Sequence, residues 1–453
     1  MSDSRIIWSL LVPFIAALYL GVSYLLRSRI SASGQSRQWL DFAALCVACG
    51  GLLLQAVLLV FAEGRIEVAW VGFTLVASPL GRLGVIAANS GLFCALIVGA
   101  SQGDVPGEHE GEGESILVML MAGFAATAML VTDPAFAALC LFGCGLIVAM
   151  YTALPLLSGG KPEDTQSARK RLSGVLKQLS MSLIGTILLV SGGLLLARYP
   201  YNLENANTLR IGLGLLSVGL AVRVGMTPFA AGAADLLETA PRAAMIALGA
   251  IVPAVIVTGL LALQPLAIQL RDVSQTGRQV AAGLAVAGAL LAGLRSLGAG
   301  AVAHDRTADR AALVGATLGL QTGWALFGVF SGTEQGILGA ELLAMNLALA
   351  APLVILSRDR LSTAVGIGAL LGLPLSGGFV GTMLVAQAAA SVEGIWLAAL
   401  LLASFLVALA WLGAFSRIEP RSPERGVVGG PTRLLTWSLI GAQAALFILS
   451  FKV

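Results

Sequence analysis

Long apolar runs, separated by short polar segments, constrain the fold of this chain more than any other feature of its sequence. A run of about 20 apolar residues is long enough to cross the hydrocarbon core of a bilayer as a helix. Only 11% of the residues are charged and the mean hydropathy is +0.91, whereas a soluble domain carries about 25% charged residues. We therefore predict an all-α integral membrane protein. Its helices, about fourteen in number, are predicted near residues 6–26, 40–62, 83–101, 116–132, 134–157, 174–197, 208–229, 243–264, 279–300, 311–331, 336–357, 362–390, 394–416 and 433–451.

The polar residues argue against several classes of function. A net charge of +3 is too small to indicate a nucleic-acid partner. The two histidines, His109 and His304, fall in separate predicted loops. Cys46 and Cys49 could form a redox or metal pair, but inside an apolar span small packing residues are the expected role. The sequence contains no Ser-His-Asp set, phosphate loop or dinucleotide fingerprint. We therefore predict no catalytic residue, no metal site and no cofactor on this chain.

The distribution of basic residues predicts the orientation of the helices. Most lysines and arginines in connecting segments follow odd-numbered predicted helices. Positively charged loops remain on the cytoplasmic side of a membrane. Both termini are therefore expected outside the cytoplasm.

The seventh predicted helix carries a charge and then breaks. The stretch "LAVRVGMTPFAAGAADLLETAPRAAM" places Arg223 inside an apolar run and Pro228 five residues later. Proline interrupts a helix, and charged residues inside membrane spans are rare and most often functional. Beyond the break, Asp235 and Glu238 are expected to form a charge network with Arg242 or with Arg223. This stretch is the first candidate site.

The twelfth predicted helix breaks in a comparable way. Residues 362–390 are too long for one plain span and contain "GLPLSGGFVG", with Pro374, Gly377 and Gly378 at the break. Interrupted helices at corresponding places in two halves are typical of ion-transporting folds with inverted repeats. We predict two inverted five-helix repeats, helices 4–8 and 9–13, with broken helices 7 and 12. The corresponding segments are an N-terminal part at 1–115, the repeats at 116–265 and 266–416, and a C-terminal helix within 417–453.

These motifs resemble one known family. "RVGMTPFAAGAADLLETAP" is similar to the signature of the antiporter-like subunits in the membrane arm of complex I, and "GLPLSGGFVG" is similar to their broken twelfth helix. Residues 78–92, 175–185 and 320–329 resemble their third-helix entry, sixth helix and tenth helix. The same family serves multisubunit cation/proton antiporters, membrane-bound hydrogenases and inorganic-carbon uptake complexes. The resemblance implies proton movement through buried lysines, modulated by a glutamate on the fifth helix.

The sequence departs from that family at the residues that would carry protons. The seventh-helix lysine is replaced by Arg223, and two further lysine positions fall at Pro253 and Thr382. The glutamate position falls near residues 143–145, where there is no acid. Lys177 alone matches a family lysine, near the start of the sixth helix. A buried lysine can release its proton, whereas an arginine keeps it. The departures predict a weakened or lost proton relay.

Few other ionisable or polar groups are predicted inside the membrane. Glu341 could pair with Arg295, could line water, or could lie near the headgroups as an interfacial acid. Gln321 and Asn346 are expected to hydrogen-bond between helices. The candidate ion-path residues are therefore Arg223, Lys177, Glu341 and Arg295.

Three functions remain open from the sequence. The first is a membrane-arm subunit of a complex I-like, redox-driven ion-pumping assembly, with a scaffold or coupling role. The second is an active proton- or sodium-translocating antiporter-type subunit. The third is the membrane partner in an inorganic-carbon uptake or membrane-bound hydrogenase complex. Each implies a multi-pass protein of the bacterial inner membrane whose partners are other integral membrane subunits, with a quinone- or hydrogen-linked redox module as an indirect partner.

Overall fold

The structure, a computed structural model, places most of the chain in long helices. It describes residues 2–28, 34–61, 66–70, 73–102, 111–157, 165–198, 206–224, 251–252, 254–259, 275–302, 306–356, 360–374, 376–415, 437–442 and 444–446. The helices among them are α1 Ser2–Ser28, α2 Gly34–Val60, α3 Pro79–Gln102, α4 Gly111–Leu130, α5 Pro134–Leu157, α6 Thr165–Arg198, α7 Ala206–Val224, α8 Gln275–Val302, α9 Arg306–Ser331, α10 Glu334–Leu356, α11 Arg360–Leu370, α12 Gly377–Val392 and α13 Gly394–Phe415. Residues 254–259 and 437–442 are also helical.

The apolar character of these helices identifies a multi-pass membrane protein. Seven of the described helices contain a segment long and apolar enough to cross a bilayer. These segments are Ser4–Leu26, Phe42–Val60, Pro79–Ile97, Leu172–Leu196, Leu313–Ser331, Glu334–Val354 and Gly394–Gly413. Four further helices carry shorter apolar segments, Ser115–Leu130, Pro134–Met150, Ala282–Leu294 and Gly378–Val392. The prediction of a mainly helical, multi-pass membrane protein is therefore confirmed.

A short β-hairpin was not predicted. Strand β1, Ile66–Trp70, pairs antiparallel with strand β2, Phe73–Ala77. The carbonyl of Thr74 accepts hydrogen bonds from the backbone N–H of Thr132 at 3.1 Å and from its hydroxyl at 3.0 Å. The hairpin thereby holds the connection between α4 and α5, and so it fixes the start of the helix that carries residues 143–145.

The helices form a continuous network of neighbours. Helix α4 packs on α1, α3 and α5, α5 packs on α6, and α6 packs along α7. Helix α8 packs on α9 and α13, α9 packs on α10, and α10 packs on α12. Two tryptophan side chains also join α9 and α13 by hydrogen bonds, from Trp324 Nε1 to Ser404 Oγ at 2.9 Å and from Trp411 Nε1 to Thr317 Oγ1 at 2.7 Å. Helix α3 also contacts α10, and α7 contacts α8.

Candidate functional site

Arg223 lies in the last turn of α7 and is buried, with 7% of its surface exposed. Its Nη1 donates a hydrogen bond to the hydroxyl of Ser182 on α6. The two helices approach closely because glycines face each other along them: a Cβ at Gly192 would lie 2.8 Å from the Gly212 carbonyl oxygen on α7. Small residues allow this approach in membrane helices. The close packing brings the guanidinium directly against α6.

The guanidinium also lies against the backbone of α5 at Gly145. A Cβ on Gly145 would lie 2.8 Å from Arg223 Nη1 and 3.0 Å from Nη2, and would also touch Ser182 Oγ. Real Cβ atoms do not approach other heavy atoms below 3.0 Å, so the arginine occupies the space that a side chain here would need. The neighbouring Cys144 points toward α4, with its Sγ 3.8 Å from the Met121 carbonyl oxygen. Gly145 is therefore the position on α5 that faces Arg223.

The guanidinium keeps unsatisfied donors. Nε and Nη2 of Arg223 are buried and have no hydrogen-bond partner within the described part of the chain. No aspartate or glutamate in that part pairs with Arg223. A buried charge without a partner is costly, by several kcal/mol after relaxation of its surroundings, on the order of 5. The arrangement is a fixed positive charge held by one hydroxyl inside an apolar bundle.

Several predicted site residues lie outside the described residues. They are Pro228, Asp235, Glu238, Arg242 and Pro253. Arg295 belongs to α8, but its side chain also lies outside the described residues.

Lys177 and the serine that binds Arg223 lie on different faces of α6. Lys177 is exposed on the outer face of that helix, whereas Ser182, the partner of Arg223, is buried. Glu341 lies in α10 and is partly exposed. The structure therefore brings neither ion-path candidate into the contacts described for the guanidinium.

The chain leaves helical geometry between α11 and α12, where Gly372 adopts φ +66°. Gly372 donates its N–H to the Ala369 carbonyl oxygen at 3.2 Å, and Leu373 donates to the Gly368 carbonyl oxygen at 2.8 Å. These two bonds form a Schellman motif, which ends a helix at a glycine of left-handed conformation. Pro374 follows in the turn and is exposed. Helix α12 then begins at Gly377.

Side-chain amides from neighbouring helices bind two carbonyl oxygens at the end of α11. Gln321 of α9 donates through Nε2 to the Leu370 carbonyl oxygen, and Asn346 of α10 donates through Nδ2 to the Ala369 carbonyl oxygen at 2.9 Å. A Cβ on Gly378 would lie 2.7 Å from Asn346 Nδ2, so the glycine admits the amide. Both amides bond between helices, as predicted, and they satisfy backbone that apolar surroundings could not.

Thr382, where the sequence resemblance predicts a lysine position, lies at this neutral site. Its hydroxyl donates to the Gly378 carbonyl oxygen at 2.9 Å, within α12. A Cβ on Gly372 would contact Thr382 Oγ1. The two candidate sites therefore differ in charge: the one on α7 holds a cation, and the one at the α11–α12 break holds hydroxyl, amide and carbonyl groups.

Gly372→Ala is expected to destabilise the break. Left-handed geometry costs a residue with a Cβ about 1–2 kcal/mol, and the new Cβ would also contact Thr382 Oγ1. We expect the free energy of unfolding to fall by about 2 kcal/mol, measured by denaturation of the purified protein in detergent.

Gly368→Ala is the matched control for this variant. A Cβ on Gly368 would have only ordinary contacts, the nearest at 3.6 Å to a Leu373 side-chain atom. Because alanine is favoured over glycine within a helix, this variant should be neutral or more stable. Equal destabilisation by both substitutions would mean that the turn geometry at residue 372 is not the cause.

Comparisons with known proteins agree with this architecture. No family profile and no curated protein matches the sequence. Among solved structures, a chain of respiratory complex I from Thermus thermophilus is similar, with TM-score 0.71, 17% identity and 97% of each chain covered. A chain of the membrane-bound sulfane sulfur reductase, an archaeal respiratory membrane complex, has TM-score 0.74 and 18% identity over 99% of this chain and 98% of that one. A chain of the Mrp complex from Dietzia sp. has TM-score 0.73 and 14% identity over 97% and 94%. The chain therefore has the fold of the antiporter-like membrane subunits of these complexes, which is the fold that its sequence motifs resemble.

Proposed function

We propose that this chain is a membrane-arm subunit of a complex I-like, redox-driven ion-pumping assembly in which the usual proton relay is weakened or lost. Its role is to join neighbouring subunits and to couple them through a fixed charge. The observation that carries the proposal is the Arg223 guanidinium, buried against Gly145 and hydrogen-bonded to Ser182.

A relay needs a group that releases its proton during each cycle. Arginine keeps its proton under protein conditions, so Arg223 supplies a constant charge. An acid on α5 could modulate that charge, but the guanidinium fills the space in front of Gly145. At the second site, the Thr382 hydroxyl is bonded within its own helix and does not ionise near neutral pH. These features support coupling by a permanent charge over transfer of a proton.

The proposal includes two inverted repeats within the chain. Residues 116–265 and 266–416 would be inverted five-helix repeats, preceded by 1–115 and followed by 417–453. The predicted breaks at Pro228 and Pro374 would then occupy corresponding places in the two repeats. The chain would lie in the bacterial inner membrane with both termini outside the cytoplasm. Its direct partners would be integral membrane subunits, and a quinone- or hydrogen-linked redox module would act on it through them.

One alternative has its own support. The fold is shared with a chain of the Mrp complex, and Glu341 is a partly exposed acid within an apolar span. An active proton- or sodium-translocating subunit would use such an acid, with Lys177 as a further group in its path. A membrane partner in an inorganic-carbon uptake or hydrogenase complex remains the third candidate.

Purification and reconstitution test the proposal. We expect the chain to copurify with other membrane subunits from its native source. Reconstituted alone in liposomes with a pH-sensitive dye inside, it should dissipate an imposed proton or sodium gradient no faster than empty liposomes. The complete assembly in the same liposomes is the positive control. A stable isolated chain that exchanges protons for sodium would show the antiporter alternative to be correct.

A further inference from the structure

The outer face of α6 carries a groove that combines cations, hydroxyls and apolar side chains. It is shallow and open, with a volume of about 450 Å³, and all of its described lining belongs to α6. The described residues along it include Arg169, Leu172, Ser173, Leu176, Lys177 and Ser180. Arg169, Lys177 and Ser180 are exposed. The groove lies away from the face of α6 that contacts Arg223.

The groove spans the depth at which a membrane changes from polar to apolar. The apolar segment of α6 begins at Leu172, so Arg169 precedes it and Lys177 lies inside it. At 1.5 Å per residue the two cations are about 12 Å apart along the helix. Residues four apart share one helix face, which places Ser173 between them. A lysine this close to the start of an apolar segment can extend its ammonium to the charged interface.

Beyond the groove, toward the C-terminal end of α6, the same helix face is apolar and is not covered by other described residues. Leu176 is 57% exposed, Leu183 48% and Ile187 55%. The groove therefore presents two cations and hydroxyls at interface depth, continued by an apolar strip toward the bilayer centre. A molecule that complements both parts carries a negative headgroup and acyl chains.

We propose that this groove binds an anionic phospholipid, with the phosphate between Arg169 and Lys177 and the acyl chains along Leu183 and Ile187. The two cations supply the charge complement, and Ser173 supplies a hydroxyl; the Ser180 hydroxyl donates to the Leu176 carbonyl oxygen of its own helix at 2.9 Å. The proposal goes beyond the proposed function and does not depend on whether the chain pumps ions.

Lipid titration followed by native mass spectrometry of the purified protein tests the site. The probes are dioleoyl phosphatidylglycerol and, as a neutral lipid with the same chains, dioleoyl phosphatidylcholine. We expect the anionic lipid to bind about ten-fold more tightly or better, because each cation near the membrane surface contributes about a five-fold factor. Lys177→Gln should weaken its binding about five-fold, and the double variant with Arg169→Gln about 25-fold.

Arg210→Gln is the matched control, because Arg210 is an exposed cation on α7. It removes the same charge and should leave the affinity for phosphatidylglycerol unchanged. Equal affinity for both lipids would overturn the proposal. So would a loss of phosphatidylglycerol affinity in Arg210→Gln as large as the loss in Lys177→Gln. Competition by millimolar inorganic phosphate would identify a site for the free anion. Loss of a copurifying membrane subunit from Lys177→Gln, with lipid affinity unchanged, would identify a protein interface and also overturn it.

Discussion

Replacing Arg223 with methionine is expected to stabilise the isolated chain and to disable the assembly in which it works. The guanidinium is buried, and two of its nitrogens have no partner within the described residues. Replacing buried ionic groups by hydrophobic residues of similar volume stabilises proteins by about 1–4 kcal/mol in favourable cases. We expect a gain in that range, measured as the free energy of unfolding in detergent.

The same substitution should lower coupled activity because it removes the fixed charge. A unit charge 10 Å from a titrating group contributes roughly 1.7 kcal/mol at an effective dielectric constant of about 20. Its loss would shift a neighbouring protonation equilibrium more than about ten-fold. We therefore expect redox-driven ion pumping by the complete assembly to fall about ten-fold, while the subunits still copurify.

Two further variants separate charge from packing. Arg223→Lys keeps a basic side chain and should retain assembly, but it should lower pumping, because a buried lysine can release the proton that the arginine keeps. Arg210→Met removes an exposed cation from the same helix and should change neither stability nor pumping. If Arg223→Met instead destabilises the chain by about 3–5 kcal/mol, then a carboxylate such as Asp235 or Glu238 pairs with Arg223. That result would show that a carboxylate compensates the charge, and it would contradict the proposed coupling through it.

The sequence predicted the membrane helices well because their signal is local. Twenty apolar residues identify a span without knowledge of its neighbours. It did not predict the hairpin formed by Ile66–Trp70 and Phe73–Ala77. These strands are five residues each and lie between two predicted spans, where short apolar runs do not distinguish strand from helix.

The candidate site was predictable only in part, because its contacts depend on how helices rotate against each other. The sequence indicated Arg223 and restricted the facing position on α5 to residues 143–145. It gave no means of choosing among those three residues, since a glycine has no side chain whose polarity would mark a contact. Ser182 was missed for a related reason: a serine in a membrane helix most often bonds to its own backbone. Only the packing of α5, α6 and α7 shows that Gly145 and Ser182 enclose the guanidinium.

Gly145→Glu and Arg223→Lys are expected to be strongly coupled in a double-mutant cycle. Alone, Gly145→Glu places a Cβ 2.8 Å from Arg223 Nη1, and overpacking of this kind costs about 1–3 kcal/mol. Lysine has no guanidinium, so Arg223→Lys would remove the contacts of the new side chain with Nη1 and Nη2, while its contact with Ser182 Oγ would remain. The ammonium and the carboxylate could then pair across α5 and α7, as the family resemblance implies for its glutamate and lysine. We expect a favourable coupling energy of about 2 kcal/mol, within the range of about 0.5–3 kcal/mol for residues in contact, from unfolding in detergent.

Gly143→Glu provides the matched control on the same helix. A Cβ on Gly143 would lie 3.1 Å from the ring of Phe124 on α4, and so it faces away from Arg223. This variant should also be destabilised, but Arg223→Lys should not rescue it. Gly143 and Gly145 are about half a turn apart on α5, so they face different neighbours. Coupling at residue 145 alone would show that an acid at Gly145 lies opposite residue 223. Equal coupling at both positions would mean that the lysine relaxes the bundle generally, and the assignment of Gly145 as the residue opposite Arg223 would be wrong.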